Sequence, residues 1–148
     1  MTTVKIIKAT EKHRKSISRL IREANIGVLG KREPVRNFWV VKSEGRIIAC
    51  AGLDFHGPKV AIFTHLAVEK EFRHHGVGSA LIEHRTKVAK ERGAKMIAFV
   101  TMYYWFNFYK KRGFKVYRRA NLPENIRNYW MFTTPRYMKC AVMFRYLN

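Results

Sequence analysis

Arg73-His74-His75-Gly76-Val77-Gly78-Ser79 gathers an arginine, two histidines, two glycines and a hydroxyl within seven residues. Glycine accepts positive φ and lets a ligand approach the backbone closely. A helical apolar pattern starts at Val77, so the backbone N–H groups of residues 74–79 are expected to converge at a helix N-terminus. Such a concave ring of donors holds phosphate oxygens. Arg73 would add charge and a planar fork of hydrogen bonds, which suits a diphosphate. Two familiar phosphate loops do not fit. A Walker loop needs a lysine and a hydroxyl directly after its last glycine, whereas Gly78 is followed by Ser79 and Ala80. A dinucleotide fingerprint needs a third glycine and an opening Rossmann unit, and neither is here.

The elements around this loop are legible from periodicity. Val4–Lys8 reads as a short strand. Thr10 is placed to cap a helix whose apolar face carries Ile17, Leu20, Ile21 and Ala24. Residues 25–37 read as loop, punctuated by Gly27, Gly30 and Pro34. Phe38–Lys42 and Arg46–Phe55 are strands about a Ser43-Glu44-Gly45 turn, and His56-Gly57-Pro58-Lys59 leads into a long strand, Val60–Val68. The helix after Gly76 is expected to bury Val77, Ala80, Leu81, Val88 and Ala89 and to stop at Gly93. Met96–Val100 is continuously apolar, as a strand buried on both faces would be. A helix is expected over Tyr103–Lys111, then strands at Phe114–Tyr117 and Cys140–Tyr146. The aromatic, proline-containing segment between those strands reads as an irregular excursion or a lid-like flap.

Bulk properties narrow the class. The chain has 148 residues, 47% of them hydrophobic and 14% aromatic, which suits one domain with a real core. Thirty Lys and Arg stand against ten acids, for a formal charge of +20, and Asp54 is the sole aspartate. That balance favours anionic partners such as phosphorylated cofactors, acidic metabolites or nucleic acid. No metal site is expected, because the acids are scattered and no His/Cys spacing forms a zinc pattern. Cys50 and Cys140 read as buried thiols in apolar surroundings, not as a disulfide. With no signal peptide or membrane-spanning stretch in the sequence, a cytoplasmic protein with no membrane insertion is expected.

Arg73-His74-His75-Gly76-Val77-Gly78, preceded by Leu66-Ala67-Val68, resembles the acetyl-CoA loop of the GCN5-related N-acetyltransferases, the GNAT superfamily. Phe108-Tyr109-Lys110-Lys111-Arg112-Gly113-Phe114 resembles that family's aromatic pair before Gly-Phe, at the family's spacing. The resemblance covers most of the chain. It implies one N-acetyltransferase domain over residues 1–148, of α/β (α+β) class. The central sheet would be mixed and largely antiparallel, with a splayed parallel strand pair, flanked by helices. It further implies an acyltransferase that uses acetyl-CoA as co-substrate. Leu66, Ala67 and Val68 would pair with the pantetheine arm, and His74, His75, Gly76, Val77, Gly78 and Ser79 would hold the pyrophosphate with Arg73. Phe108 would lie against the core or the cofactor arm. By the same analogy the N–H of Val68, or a near neighbour, would face the developing oxyanion. Tyr109 would protonate the departing thiolate.

The base does not carry over. Many family members place a glutamate four residues before the Leu-Ala-Val end, and Ile62 occupies that position here. His65, Thr64, His56 and Glu33 are the alternatives, and His65 is nearest in sequence to the reacting zone. A water chain would also serve.

The acceptor is less defined than the donor. The run from Phe114 to Leu122-Pro123-Glu124 resembles N-acetylglutamate-synthase-type GNAT domains, which favours a small amine such as an amino acid. Arg22, Arg32, Arg36, Arg118, Arg119 and Arg127 are candidates for holding its carboxylates. A protein N-terminus or lysine, or an amine carried by aminoacyl-tRNA, is the alternative acceptor. The rival from another class is a basic nucleic-acid-binding module, with Tyr103, Tyr104, Trp105, Tyr117, Tyr129, Trp130 and Tyr137 stacking on bases. Those aromatics would otherwise fill the core or line the acceptor groove. A two-fold homodimer is the default oligomer.

Overall fold

The computed structural model describes residues 4–147. Seven strands make one mixed sheet in the order β1-β2-β3-β4-β5-β7-β6. They are β1 (Ile6–Lys8), β2 (Phe38–Ser43), β3 (Arg46–Phe55), β4 (Val60–Val68), β5 (Met96–Thr101), β6 (Lys115–Tyr117) and β7 (Ala141–Tyr146). Two longer helices, α1 (Arg14–Glu23) and α2 (Val77–Glu91), flank it with three short ones, α3 (Phe106–Lys110), α4 (Glu124–Arg127) and α5 (Trp130–Thr133). β4 and β5 run parallel through Val60↔Met96, Ala61↔Ile97 and Ile62↔Ala98. The pairs β1–β2, β2–β3, β5–β7 and β6–β7 are antiparallel. The α/β class and the mixed sheet are therefore as expected.

Two compact units divide the chain, and the division passes through β4. The first holds the chain up to Asp54 together with Phe63–Lys87; the second holds Phe55–Ile62 and the chain from Val88 onward.

In the first unit, α1 buries Ile17, Leu20 and Ile21 against Val35, Phe38, Val40, Ile47 and Cys50. These are one helical stripe meeting the apolar faces of β2 and β3. Burial pushes the Cys50 thiol up to about 12, so it stays protonated, whereas Cys140, expected to be buried, is a free thiol only half-covered in the turn before β7. The end of β4 is anchored by Glu69, whose buried carboxylate accepts from Arg19 Nη1 at 3.0 Å and from Arg46 Nη2. One carboxylate thus ties α1, β3 and β4 together.

β4 is not a regular strand. Gly52 lies against Thr64, so close that a Cβ on Gly52 would stand 2.0 Å from Thr64 Oγ1. Ile48 O accepts from Glu69 N at 2.9 Å. Four steps back along β3 therefore correspond to five steps forward along β4. The extra residue makes a β-bulge, and His65 takes a φ of +40° within it. Arg85 of α2 is 1% exposed and sits behind this distortion. Its Nη1 donates to Gly52 O (2.8 Å) and Thr64 O (3.2 Å), its Nε donates to Leu81 O (3.3 Å), and its guanidinium stacks 4.0 Å over the Phe63 ring. The buried face of α2 accordingly runs Val77, Leu81, Ile82, Arg85, Thr86 and Ala89. The expected stripe omitted its most buried polar member.

In the second unit Ile97, Ala98 and Phe99 are all buried, which requires cover on both faces of β5. Phe99 packs edge-on against Tyr109 (4.7 Å between centroids) and Phe114 (5.2 Å). The segment before β7 is not a flap. Leu122, Ile126, Tyr129, Met131 and Phe132 are buried, and Arg119 donates to the carbonyls of Phe132, Tyr137 and Cys140. Proline and short helices interrupt the periodicity there, so its core character was hidden. The aromatics divide: Tyr109 and Tyr129 are core, Tyr117 stacks on Phe144, and Tyr103, Tyr104, Trp105 and Trp130 are exposed. The expected helix over Tyr103–Lys111 is a 3-10 turn at Tyr103–Trp105 followed by α3.

Candidate active site

The loop between β4 and α2 turns irregularly before the helix begins at Val77. His74 (φ +66°) and Gly76 (φ +85°) are both left-handed. Only glycine takes that conformation without strain, which accounts for Gly76. Val77 is buried and opens α2, where Ala80 N donates to Gly76 O at 3.0 Å. The first turn of a helix directs its N–H groups outward from the N-terminus, which makes such an end favourable for an anion. Gly78 has ordinary helical geometry, and a Cβ there would meet nothing within 4 Å. The fold itself therefore makes no demand for glycine at Gly78, although glycine costs a helix roughly 1 kcal/mol against alanine.

Leu66 and Val68 are half-buried and Ala67 is buried, at the end of β4. Arg73 donates from Nε to Val68 O at 2.9 Å, so its fork is partly spent holding the strand end to the loop. His74, His75 and Gly76 are exposed, and Gly78 and Ser79 are half-buried. No described helix is long and apolar enough to cross a membrane.

His65 is brought together with Glu33, thirty-two residues earlier. Its Nε2 lies 2.9 Å from Oε1 and 3.1 Å from Oε2 of Glu33, and its ring stacks on Phe38 at 5.7 Å and 19°. Glu33 is fixed in turn. Gly30 N donates to its Oε2 (3.3 Å), Glu33 N donates to Gly30 O (3.1 Å), and Arg14 Nη2 donates to Glu33 O (3.0 Å). Of the other base candidates, Thr64 is buried against Gly52, and His56 packs on the Tyr129 ring at 5.2 Å.

Tyr109 and Phe108 lie on α3. Tyr109 is 8% exposed, ringed by Phe99, Phe108 (5.1 Å) and Phe114 (5.9 Å). Phe108 is half-buried, with the Arg112 guanidinium 3.7 Å over its ring. Among the arginines considered for a carboxylate, Arg119 is committed to backbone carbonyls, whereas Arg22, Arg32, Arg36, Arg118 and Arg127 are exposed. Sequence reasoning missed Arg85 and Glu69. No local signal marks either one, since each looks like any charged residue until its neighbours are assembled.

Comparison with known proteins adds to this geometry. The pattern describing the acetyltransferase (GNAT) domain matches residues 34–116, a stretch that includes the loop, His65 and Tyr109. An uncharacterised N-acetyltransferase of Chlorobaculum tepidum is 31% identical over 125 residues, covering 79% of this chain and 77% of that protein. An amino-acid acetyltransferase of Pasteurella multocida is 29% identical over 115 residues, covering 72% of this chain and 26% of that protein. The N-acetylglutamate synthase of Neisseria gonorrhoeae, solved with coenzyme A and N-acetyl-glutamate, superposes with a TM-score of 0.85 at 20% identity. That match covers all of this chain and 36% of the synthase. The chain thus spans about a quarter to a third of the length of those two amino-acid-acetylating relatives.

Proposed function

Because the chain belongs to the acetyltransferase (GNAT) family, we propose that its acetyl-CoA-dependent transfer serves a small primary amine, an amino acid foremost, and that residues 1–148 act as one catalytic domain in the cytoplasm. The observation that carries the donor side is the glycine-opened start of α2, with space over both glycines. The acceptor side rests on the relatives, among them an amino-acid acetyltransferase and an N-acetylglutamate synthase.

In this reading Leu66, Ala67 and Val68 align the cofactor arm, with the Val68 N–H available to the carbonyl oxygen. Residues 74–79 and Arg73 take the pyrophosphate, and Phe108 lies beside the arm. The amine nitrogen attacks the acetyl carbonyl carbon, an N–C bond forms and the C–S bond breaks. Tyr109 gives its hydroxyl proton to the leaving sulfur, and His65 takes the proton that the amine sheds. Ile62 is buried and apolar, so the acid common at that position in the family has no counterpart here.

The test is thiol release from acetyl-CoA across free amino acids, polyamines, peptides and aminoacyl-tRNA, with mass analysis of the products. A free amino acid is expected to give the fastest release. Preference for a peptide or aminoacyl-tRNA would replace the acceptor assignment. Salt-sensitive RNA binding with no acetyl-CoA binding would replace the enzyme.

Gly78→Ala separates folding from binding at the cradle. Helix propensity predicts equal or higher stability, by up to about 1 kcal/mol. The added methyl intrudes where the pyrophosphate would lie, and coenzyme A binding is expected to weaken about tenfold, worth roughly 1.4 kcal/mol. Thermal denaturation and calorimetric titration read the two effects. Unchanged affinity would remove the pyrophosphate from that end of α2.

A further inference from the structure

We propose that Glu33 is the positioning residue for His65, fixing its tautomer so that Nδ1 is the atom that accepts the amine proton. This deepens the reading of His65 as base and rests on it.

The argument starts with the chemistry of the two groups. An ionised carboxylate only accepts hydrogen bonds. Both Glu33 oxygens face Nε2 of His65, at 2.9 and 3.1 Å, so Nε2 must carry its proton. A neutral imidazole has one N–H, which leaves the lone pair on Nδ1. Nδ1 has no hydrogen bond to protein among the described residues, so that lone pair is not consumed by the fold.

The surroundings hold this geometry from every side. The bulge turns His65 out of the ordinary strand alternation, and Phe38 stacks on its ring, which limits the imidazole to one plane. Arg85 grips the Thr64 carbonyl beside it from α2, and Arg14 of α1 grips the Glu33 carbonyl. The charged groups next to the pair are Arg85 on α2, through the Thr64 carbonyl, and Arg14 on α1, through the Glu33 carbonyl, with Arg14 itself ion-paired to Glu11 at 2.7 Å. A solvated surface ion pair needs none of these restraints, whereas a base that must present one particular lone pair needs all of them. When Nδ1 takes the amine proton, the imidazolium keeps Nε2–H against the Glu33 carboxylate, which stabilises the charge without itself becoming protonated.

Glu33→Gln is the discriminating variant. Its amide can donate to Nε2, which would move the imidazole proton to Nδ1 and abolish the base. With acetyl-CoA and L-glutamate, or whichever amine in the survey above releases thiol fastest, kcat should fall at least about a hundredfold, with KM for acetyl-CoA within about twofold. Glu33→Asp, which keeps an acceptor, should recover a measurable part of that loss. Nitrogen-15 NMR of the neutral His65 ring should show Nε2–H in the native protein and Nδ1–H in Glu33→Gln. His65→Asn, whose side chain tolerates the left-handed backbone, should lose activity to the same degree while remaining folded. A native ring protonated at Nδ1, or Glu33→Gln with native kcat, overturns the proposal. If the native protein acetylates no amine, the functional reading fails instead, and the NMR tautomer still decides the role of Glu33.

Discussion

Tyr109→Phe is expected to lower kcat about a hundredfold, within the range a general acid contributes, while coenzyme A affinity stays within about twofold. The separation follows from where the residue sits. Tyr109 is core, and its ring meets Phe99, Phe108 and Phe114 edge-on, so phenylalanine preserves every ring contact and removes one oxygen. Stability should change little by comparison with truncation to alanine, which would open a cavity costing about 3–5 kcal/mol. Rapid-quench measurement of the chemical step, alongside equilibrium titration with coenzyme A, separates proton donation from packing. A variant that turns over at the native rate would leave Tyr109 as a core residue only.

Arg85→Met should lower folding stability by about 3 kcal/mol and lower kcat with it. The sign is not obvious, because replacing buried charge by an apolar side chain of similar volume is often neutral or favourable. Here the decisive loss is on the other side of the hydrogen bonds. The Gly52 and Thr64 carbonyls accept from one Arg85 nitrogen in a buried place, and each would forfeit roughly 1–3 kcal/mol if left unpaired. Methionine relieves the desolvation of the guanidinium and keeps contact with Phe63, so the net falls short of the full sum. Because Thr64 precedes the bulge residue, loosening its carbonyl also loosens His65. Urea denaturation reads the stability, and the His65 ring signals read the bulge. A variant with the native urea midpoint and native His65 shifts would show that Arg85 is incidental to both.

Much of this protein is local in origin. β3 and β4 were legible to the residue, because alternating or continuous apolar runs end at glycine and proline turns. Gly76 was legible because positive φ is a property of one residue and its neighbours. The loop before α2 combines adjacent residues, so its composition alone suggests an anion. Local signals are weak in one long stretch. Residues 118–140 carry prolines and one-turn helices, and periodicity cannot register a core built from isolated residues such as Leu122, Ile126 and Phe132. Arg119 looked like a carboxylate ligand because an exposed arginine and one that knots three carbonyls have the same letter.

Short windows of sequence suffice for the strand–loop–helix that begins α2, the aromatic pair on α3 and the absence of an acid at Ile62. Each depends on residues within about one turn or one strand of each other. The meeting of His65 with Glu33 and the burial of Arg85 behind the bulge emerge from the assembled fold. Both are pairings between residues 21 to 33 apart in the chain, with whole elements lying between them. Pairings of that kind are set by the register of β3 against β4 and by the docking of α1 and α2, which no short window of sequence contains.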